Sequence, residues 1–173
     1  MILGVAGGNG LEHVSREKYR KVYGVDINAD YLRAAAERHS ELSGVLECIQ
    51  LDLTNEAEKL PQTQLLIADL LTEYIGYPAL QRAVIQTAPE YVSCVIQINT
   101  DGENWVSDSP YLHVFDRLDE VHHQMEEAAL TAAMNGIGYT LILRSSEPLP
   151  NGKALVRMDY RRDYLLMRNR ANV

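Results

Sequence analysis

The fold class that this 173-residue sequence predicts is α/β: a three-layer, doubly wound and mostly parallel sheet of seven strands. Three observations carry that expectation. Short apolar runs alternate with helix-patterned segments along most of the chain. The first run passes straight into a glycine turn, Ala6–Gly10 (AGGNG). The last two runs are joined by Pro-Asn-Gly turn chemistry, which closes an otherwise parallel sheet with an antiparallel hairpin.

Taken in order, Met1–Val5 reads as a strand and Asn9–Tyr19 as a short helix opening from the glycine turn. Val22–Val25 is a second strand, followed by a helix over Asp30–His39, rich in Ala, Arg and Glu. Val45–Gln50 is a third strand, and Thr54–Lys59 is at most a helical turn. Leu65–Ala68 is a fourth strand, with a helix from about Tyr77 to Thr87. Tyr91–Ile98 is a fifth strand with almost no polar interruption, and such continuous apolar strands predict a sheet covered on both faces. Asn99–Leu118 breaks the rhythm; it holds the sole Trp and the sole Phe and has the length of a functional loop. Asp119–Asn135 reads as a helix with acidic residues in its first turn and Gly136 as its stop. Tyr139–Arg144 and Lys153–Tyr160 form the hairpin.

The length predicts one domain, residues 1–160, with a basic C-terminal tail over 161–173. Residues 157–173 carry a net charge of +3 on a chain whose net charge is −8. That acidity opposes a broad electrostatic grip on a phosphate backbone. No apolar run approaches the roughly 18 residues of a membrane span, so a soluble protein without a membrane partner is expected. The start, MILGVAGGNG, has no basic n-region. Cys48 and Cys94 both sit in apolar segments and do not make a disulfide framework. Together these features predict a cytoplasmic location.

Chemistry points to the ends of the strands. Glycines at a strand–helix junction let backbone approach a ligand and turn N–H groups toward it. The second, third and fourth strands each end in an aspartate: Asp26, Asp52 and Asp69. An aspartate after a strand is often only a turn or helix cap. Three in order after a glycine loop fit a ligand lying outside the carboxyl ends of the strands, with Asp26 suited to ribose hydroxyls.

Four segments, LGVAGGNG (3–10), VYGVDIN (22–28), LECIQLDLT (46–54) and LLIADLL (65–71), resemble the class I S-adenosylmethionine-dependent methyltransferases. The resemblance spans nearly the whole chain. It implies the strand order 3-2-1-4-5-7-6 with strand 7 antiparallel, and S-adenosyl-L-methionine as cofactor. It places Gly8 and Gly10 along the methionine and ribose part of the cofactor, Asp26 at the ribose hydroxyls and Asp52 at the adenine amino group, with Ala6, Gly7, Ile27 and Leu53 also in the cofactor site. Asp69 would border the sulfonium and the acceptor. Two positions depart from the family pattern: Gly4 stands where an acidic residue usually anchors the methionine end, and Ala6 replaces the first loop glycine. Glu12 on the following helix would be the candidate to compensate.

On the acceptor side, Asp69 and His113 are the candidate catalytic groups, with Glu73, Tyr74, Tyr77 and Asn99 nearby. Taken singly, Glu73 reads as a solvated helix turn and the two tyrosines as packing. Trp105, Tyr111, His113 and Phe115 would form an aromatic lid or a cluster fastening the loop. His122 and Glu126 are four apart, but no partner stands at zinc spacing, so no metal is expected. The stretch Ala68-Asp69-Leu70-Leu71 lacks the Asn/Asp-Pro-Pro-aromatic motif of amino-group nucleobase methylases in this superfamily, and Cys94 sits among apolar residues as an inert thiol. The expected activity is therefore methyl transfer to an O or N atom of a small-molecule acceptor, not of nucleic acid. Alternatives are a non-catalytic cofactor-binding module on the same fold, and a nicotinamide-binding Rossmann oxidoreductase. The latter would need a glycine where His13 stands. With its first strand at Met1, the chain is expected to lack an N-terminal segment over the acceptor. Specificity would then come from 99–118, the region after Asp69, or a partner subunit, and the open acceptor side suits a homodimer.

Overall fold

A computed structural model describes residues 1–99, 123–149 and 152–163. Seven strands form one sheet in the order β3-β2-β1-β4-β5-β7-β6. They are β1 (Ile2–Leu3), β2 (Val22–Asp26), β3 (Leu46–Gln50), β4 (Leu65–Asp69), β5 (Tyr91–Asn99), β6 (Tyr139–Leu149) and β7 (Lys153–Arg162). β1 to β5 run parallel, and β7 lies antiparallel between β5 and β6. The expected order and the final hairpin are both present. Strand order reverses between β1 and β4, which opens a crevice at their carboxyl ends.

Among the described residues three α-helices accompany the sheet: α1 (Ala29–Arg38), α2 (Thr72–Thr87) and α3 (Glu127–Gly136). α1 starts where Asn28 Oδ1 accepts the N–H groups of Asp30 (2.9 Å) and Tyr31 (3.3 Å), and it buries Leu32 and Ala35. α2 and α3 cover the other face: Leu80, Ala83, Val84, Leu130 and Met134 pack on Leu66, Ala68, Val92, Cys94 and Ile96. Among the described residues no helix is long and apolar enough to cross a membrane.

The structure corrects several expected elements. Asn9–Tyr19 is not a helix; only Leu11–His13 makes a 3-10 turn, because Leu11 is the one fully buried side chain there and Val14 is already extended. A single buried position cannot hold a helix against a core. α2 begins at Thr72 rather than Tyr77, but it breaks at Gly76 (φ +71°), and Pro78 then restarts it near a first-turn position where its missing N–H costs nothing. α3 begins at Glu127 rather than Asp119; residues 123–126 are not helical, and 119–122 lie outside the described residues. The supposed helix face shared by His122 and Glu126 is therefore not formed, since Glu126 precedes the helix. β7 runs to Arg162, so Arg161 and Arg162 of the expected tail are paired in the sheet.

The expected covering on both faces holds over only part of the sheet. α1 and the chain around it pack with Val5, Leu11, Val22, Leu42 and Val45 over β1, β2 and β3. On that same side of β4, β5, β7 and β6, Leu65, Tyr91, Ile142 and Leu143 stay exposed.

The hairpin is fastened by Tyr139, which is buried and donates its hydroxyl to Pro89 O at 2.6 Å while accepting Arg162 Nε at 3.1 Å. Tyr139→Phe should cost about 1–2 kcal/mol, because it leaves a buried carbonyl without its donor. Urea unfolding checks this, and an unchanged midpoint would contradict it.

Candidate functional site

Four elements converge at the carboxyl edge of the sheet. The loop after β1 is drawn onto β2 by two backbone contacts. Val5 N–H donates to Val25 O at 3.1 Å, and Ala6 N–H donates to Asp26 Oδ2 at 2.9 Å. Asp26 Oδ1 accepts Asn28 N–H, also at 2.9 Å. Both carboxylate oxygens are thus aimed by the backbone, and each keeps a lone pair for a ligand hydroxyl.

The loop glycines divide into two roles. At Gly8 (φ +85°) a Cβ would meet His39 Cδ2, Ala35 Cβ and Leu11 Cδ1 within 3.0–3.1 Å, so this glycine seats the loop against α1. At Gly7 and Gly10 a Cβ would meet nothing within 4 Å, which leaves the outer wall of the loop open. Arg38 Nη1 donates to Asn9 Oδ1 at 2.7 Å and tethers that wall to the end of α1. Glu12 turns back on the loop, its Oε2 accepting Gly10 N–H at 2.8 Å, and backbone donors hold its carboxyl below the usual range. It therefore caps the 3-10 turn.

Beside Asp26, Ile27 offers a side chain that is 64% exposed, a large apolar surface at the mouth of the site. Asp52 closes a turn: Oδ1 accepts Thr54 N–H (2.8 Å) and Thr54 Oγ1 (2.6 Å), and Oδ2 accepts Asn55 Nδ2 (2.7 Å). Those donors, Thr54 first, hold the carboxyl below its ordinary value, so it stays ionised. Leu53 is 5% exposed with its side chain in the main core, so only its backbone can meet a ligand.

Asp69 ends β4 on the sheet side away from α2. Desolvation by its surroundings raises its carboxyl above the usual range, and Arg157 opposes the rise. Leu70 follows with φ +52° and donates its N–H to Val95 O at 2.8 Å. Of the three non-glycine residues with positive φ among those described, Ala6 (φ +46°) and Leu70 flank this crevice; Ala88 caps α2. Strained backbone of this kind collects at functional sites.

The structure also accounts for Gly4. It has φ +66°, and a Cβ would come within 3.0 Å of Leu71 Cδ1, so the space of a longer side chain is filled from the β4 end. Two residues on, Glu73 is the reverse of a solvated helix turn. It is 2% exposed, its Oε1 accepts Gln97 N–H at 2.9 Å, and its carbonyl accepts His123 N–H at 2.7 Å. Among the described residues Oε2 has no partner, and neither has the buried Thr72 Oγ1. Sequence reasoning missed this cluster because a glutamate in a first helical turn normally reads as exposed. The run of Gly76 and Pro78, which redirects the chain there, was the one available signal.

Tyr77 does pack: its hydroxyl donates to Glu126 O (3.3 Å) and accepts Glu126 N–H (3.1 Å). Tyr74 is partly exposed, and burial of its hydroxyl raises its pKa. Cys94 is fully buried, and burial pushes its thiol far up, which suits an inert core residue. Cys48 and Cys94 are both free. Trp105, Tyr111, His113 and Phe115, and with them the 100–118 part of the long loop, lie outside the described residues, as does 164–173 of the tail. Among the described residues no group of three or more His, Cys, Asp or Glu is arranged to hold a metal ion.

Burial holds the Glu73 carboxyl above the usual glutamate range, with the Gln97 N–H pulling it down. A carboxyl raised by folding keeps its proton where the unfolded chain has already lost it. Its contribution to stability therefore falls as pH rises from the ordinary glutamate value through the raised one. Glu73→Gln keeps the carbonyl that accepts Gln97 N–H and removes the ionisation. Thermal melts against pH should be flatter for the variant across that window, with a gain over wild type at neutral pH; parallel curves would refute this.

No protein-family model matches the chain, and no curated protein matches it. Solved structures do. Magnesium protoporphyrin IX methyltransferase from Synechocystis PCC 6803, solved with bound S-adenosylhomocysteine, aligns with a TM-score of 0.64 at 12% identity. That alignment covers 94% of this chain and 73% of the enzyme. A putative sarcosine dimethylglycine methyltransferase from Galdieria sulphuraria gives a TM-score of 0.70 at 10% identity, covering 94% and 77%. The 4+2 cyclase SpnF gives 0.69 at 10%, covering 94% and 74%. With the strand order 3-2-1-4-5-7-6 and an antiparallel strand 7, the chain has the class I methyltransferase fold.

Proposed function

We propose that the protein binds S-adenosyl-L-methionine along the carboxyl ends of β1, β2 and β3 and directs its methyl group to an oxygen or nitrogen of a small-molecule acceptor. The observation that carries this reading is the Asp26 carboxylate. It is fixed by Ala6 N–H and Asn28 N–H beside a glycine wall that is open at Gly7 and Gly10.

Each neighbouring group has a fitting task. Asp26 accepts the two ribose hydroxyls, and Ile27 gives the adenine ring an apolar shelf. Asp52, kept ionised by its turn, accepts the adenine amino group, and the Leu53 N–H, which has no protein partner among the described residues, meets the ring edge. Gly7, Gly8 and Gly10 allow the ribose and methionine part to approach backbone. A bound sulfonium supplies an activated methyl and its own leaving group, so the chain has mainly to align the acceptor and exclude water. Asp69, bordering the acceptor side, and His113 are the groups we assign to the acceptor's proton. The net charge of −8 and the missing nucleobase-methylase motif favour a small molecule over nucleic acid. Two free cysteines suit a reducing cytoplasm.

The second reading, a cofactor-binding protein without methyl transfer, is favoured by one observation. The methionine end has Gly4 under Leu71 in place of an acidic anchor. A neighbour named as a cyclase shows that the fold serves more than one chemistry.

Titration calorimetry with S-adenosylmethionine and S-adenosylhomocysteine should show binding at micromolar concentrations, and none at millimolar would overturn both readings. If binding holds, homocysteine release over a pool of small acceptors separates the two. Asp26→Ala should raise the Kd at least tenfold, about 1.4 kcal/mol. Unchanged affinity in a folded variant would remove the ribose assignment.

A further inference from the structure

The side of β4, β5, β7 and β6 turned away from α2 and α3 is bare among the described residues. Leu65, Tyr91 and Ile142 on it are 37%, 39% and 51% exposed. A cavity of about 540 Å³ lies over them, and one of about 590 Å³ adjoins it over β1 and β2; the two share Leu65 and Ile67. They make one trough with an apolar floor. Parallel strands are normally buried on both faces, so an open face on β4 and β5 is, among the described residues, a surface without its cover.

The two ends of the trough differ in charge. Over β1 and β2 its rim carries Lys18 and Arg20, both exposed, and Lys21, which is ion-paired with Glu47. Over β4 and β7 it carries Asp69 and Asp159, with Arg157 Nη2 bonded to Asp159 Oδ2 at 2.7 Å. A two-fold axis through the middle would lay the basic end of one copy over the acidic end of another. Self-complementarity of that kind is what a symmetric dimer contact requires.

The size fits as well. Four strands at about 4.8 Å and five residues at about 3.3 Å give roughly 300 Å² in projection for β4, β5, β7 and β6. With the adjoining wall over β1 and β2, two copies approach the roughly 1,000 Å² of total surface that a specific contact needs.

From this charge pattern and this area we infer that the trough is the contact between two copies of the chain, each sheet serving as the cover of the other. The contact leaves Asp26 and Asp52 outside it and meets the proposed site only at Gly10 and Asp69 on its rim, so it can fail without touching the ribose and adenine assignments.

Size-exclusion chromatography with light scattering on the full chain tests it. A dimer is expected at about 10 µM, well above a micromolar Kd. Leu65→Lys and Ile142→Lys should each give a monomer with unchanged circular dichroism and unchanged S-adenosylhomocysteine binding. Ile142, half exposed on β6, keeps the test open if the Leu65 variant does not fold. Lys18→Glu with Arg20→Glu should raise the dimer Kd at least tenfold. A wild type that stays monomeric at about 100 µM overturns the inference, and so does a dimer that survives both lysine variants. A wild-type monomer that becomes a dimer only when cut after Asp163 also overturns it, and assigns the trough to residues 164–173.

Discussion

The arrangement at the carboxyl edge depends on the Asp26 carboxylate. One oxygen holds Ala6 N–H and so bends the loop after β1 toward β2; the other holds Asn28 N–H. Asn28 then caps α1, and α1 presents Ala35 and His39 to Gly8, which closes the circuit back onto the loop. A hydrogen bond to an ionised acceptor is worth roughly twice a neutral one. The group that shapes the loop is also the one proposed to hold the ribose. Pre-organisation of the site and stability of the loop therefore rest on one side chain, and a ligand hydroxyl meets a carboxylate that has no freedom left to lose.

On the other side of the switch point the constraint is steric. Leu71 fills the space above Gly4, and Leu70 is held at positive φ to turn the chain there. Beyond them Glu73 is buried, linking the start of α2 to Gln97 of β5 and to the approach to α3 through His123. An acidic side chain at position 4 would be strained by the positive φ there and would press on the tip of Leu71, so both the backbone and the packing at the end of β4 favour glycine.

Much of this was legible in the sequence, for definite reasons. Strands such as Tyr91–Ile98 are read easily because continuous apolar runs have no competing pattern. The hairpin announces itself through Pro-Asn-Gly, and Asp26 through its place after a strand and a glycine loop. The misreadings share a cause. The stretch after Gly10 has helix-forming residues but only Leu11 fully buried, so composition suggested a helix that packing does not support. α3 starts eight residues later than expected, because acidic residues near a helix start do not by themselves fix which one begins it. Burial of Glu73 depends on the meeting of α2, β5 and the approach to α3, distant segments whose convergence no local pattern encodes.

The half-covered sheet ties these findings together. α2 and α3, with the Leu51–Leu60 segment, shield one side, and α1 shields β1 to β3 on the other, but nothing described shields β4 to β7 there. A helix at Asn9–Tyr19 would have begun to fill that side, and the 3-10 turn that replaces it leaves the rim of Lys18, Arg20 and Lys21 beside an apolar floor. The same turn keeps Gly10 open for the proposed cofactor. The turn after β1 thus borders both the open glycine wall and the β1–β2 end of the trough. A second copy in that trough would supply the missing layer while leaving Asp26 and Asp52 at the carboxyl edge free for a ligand.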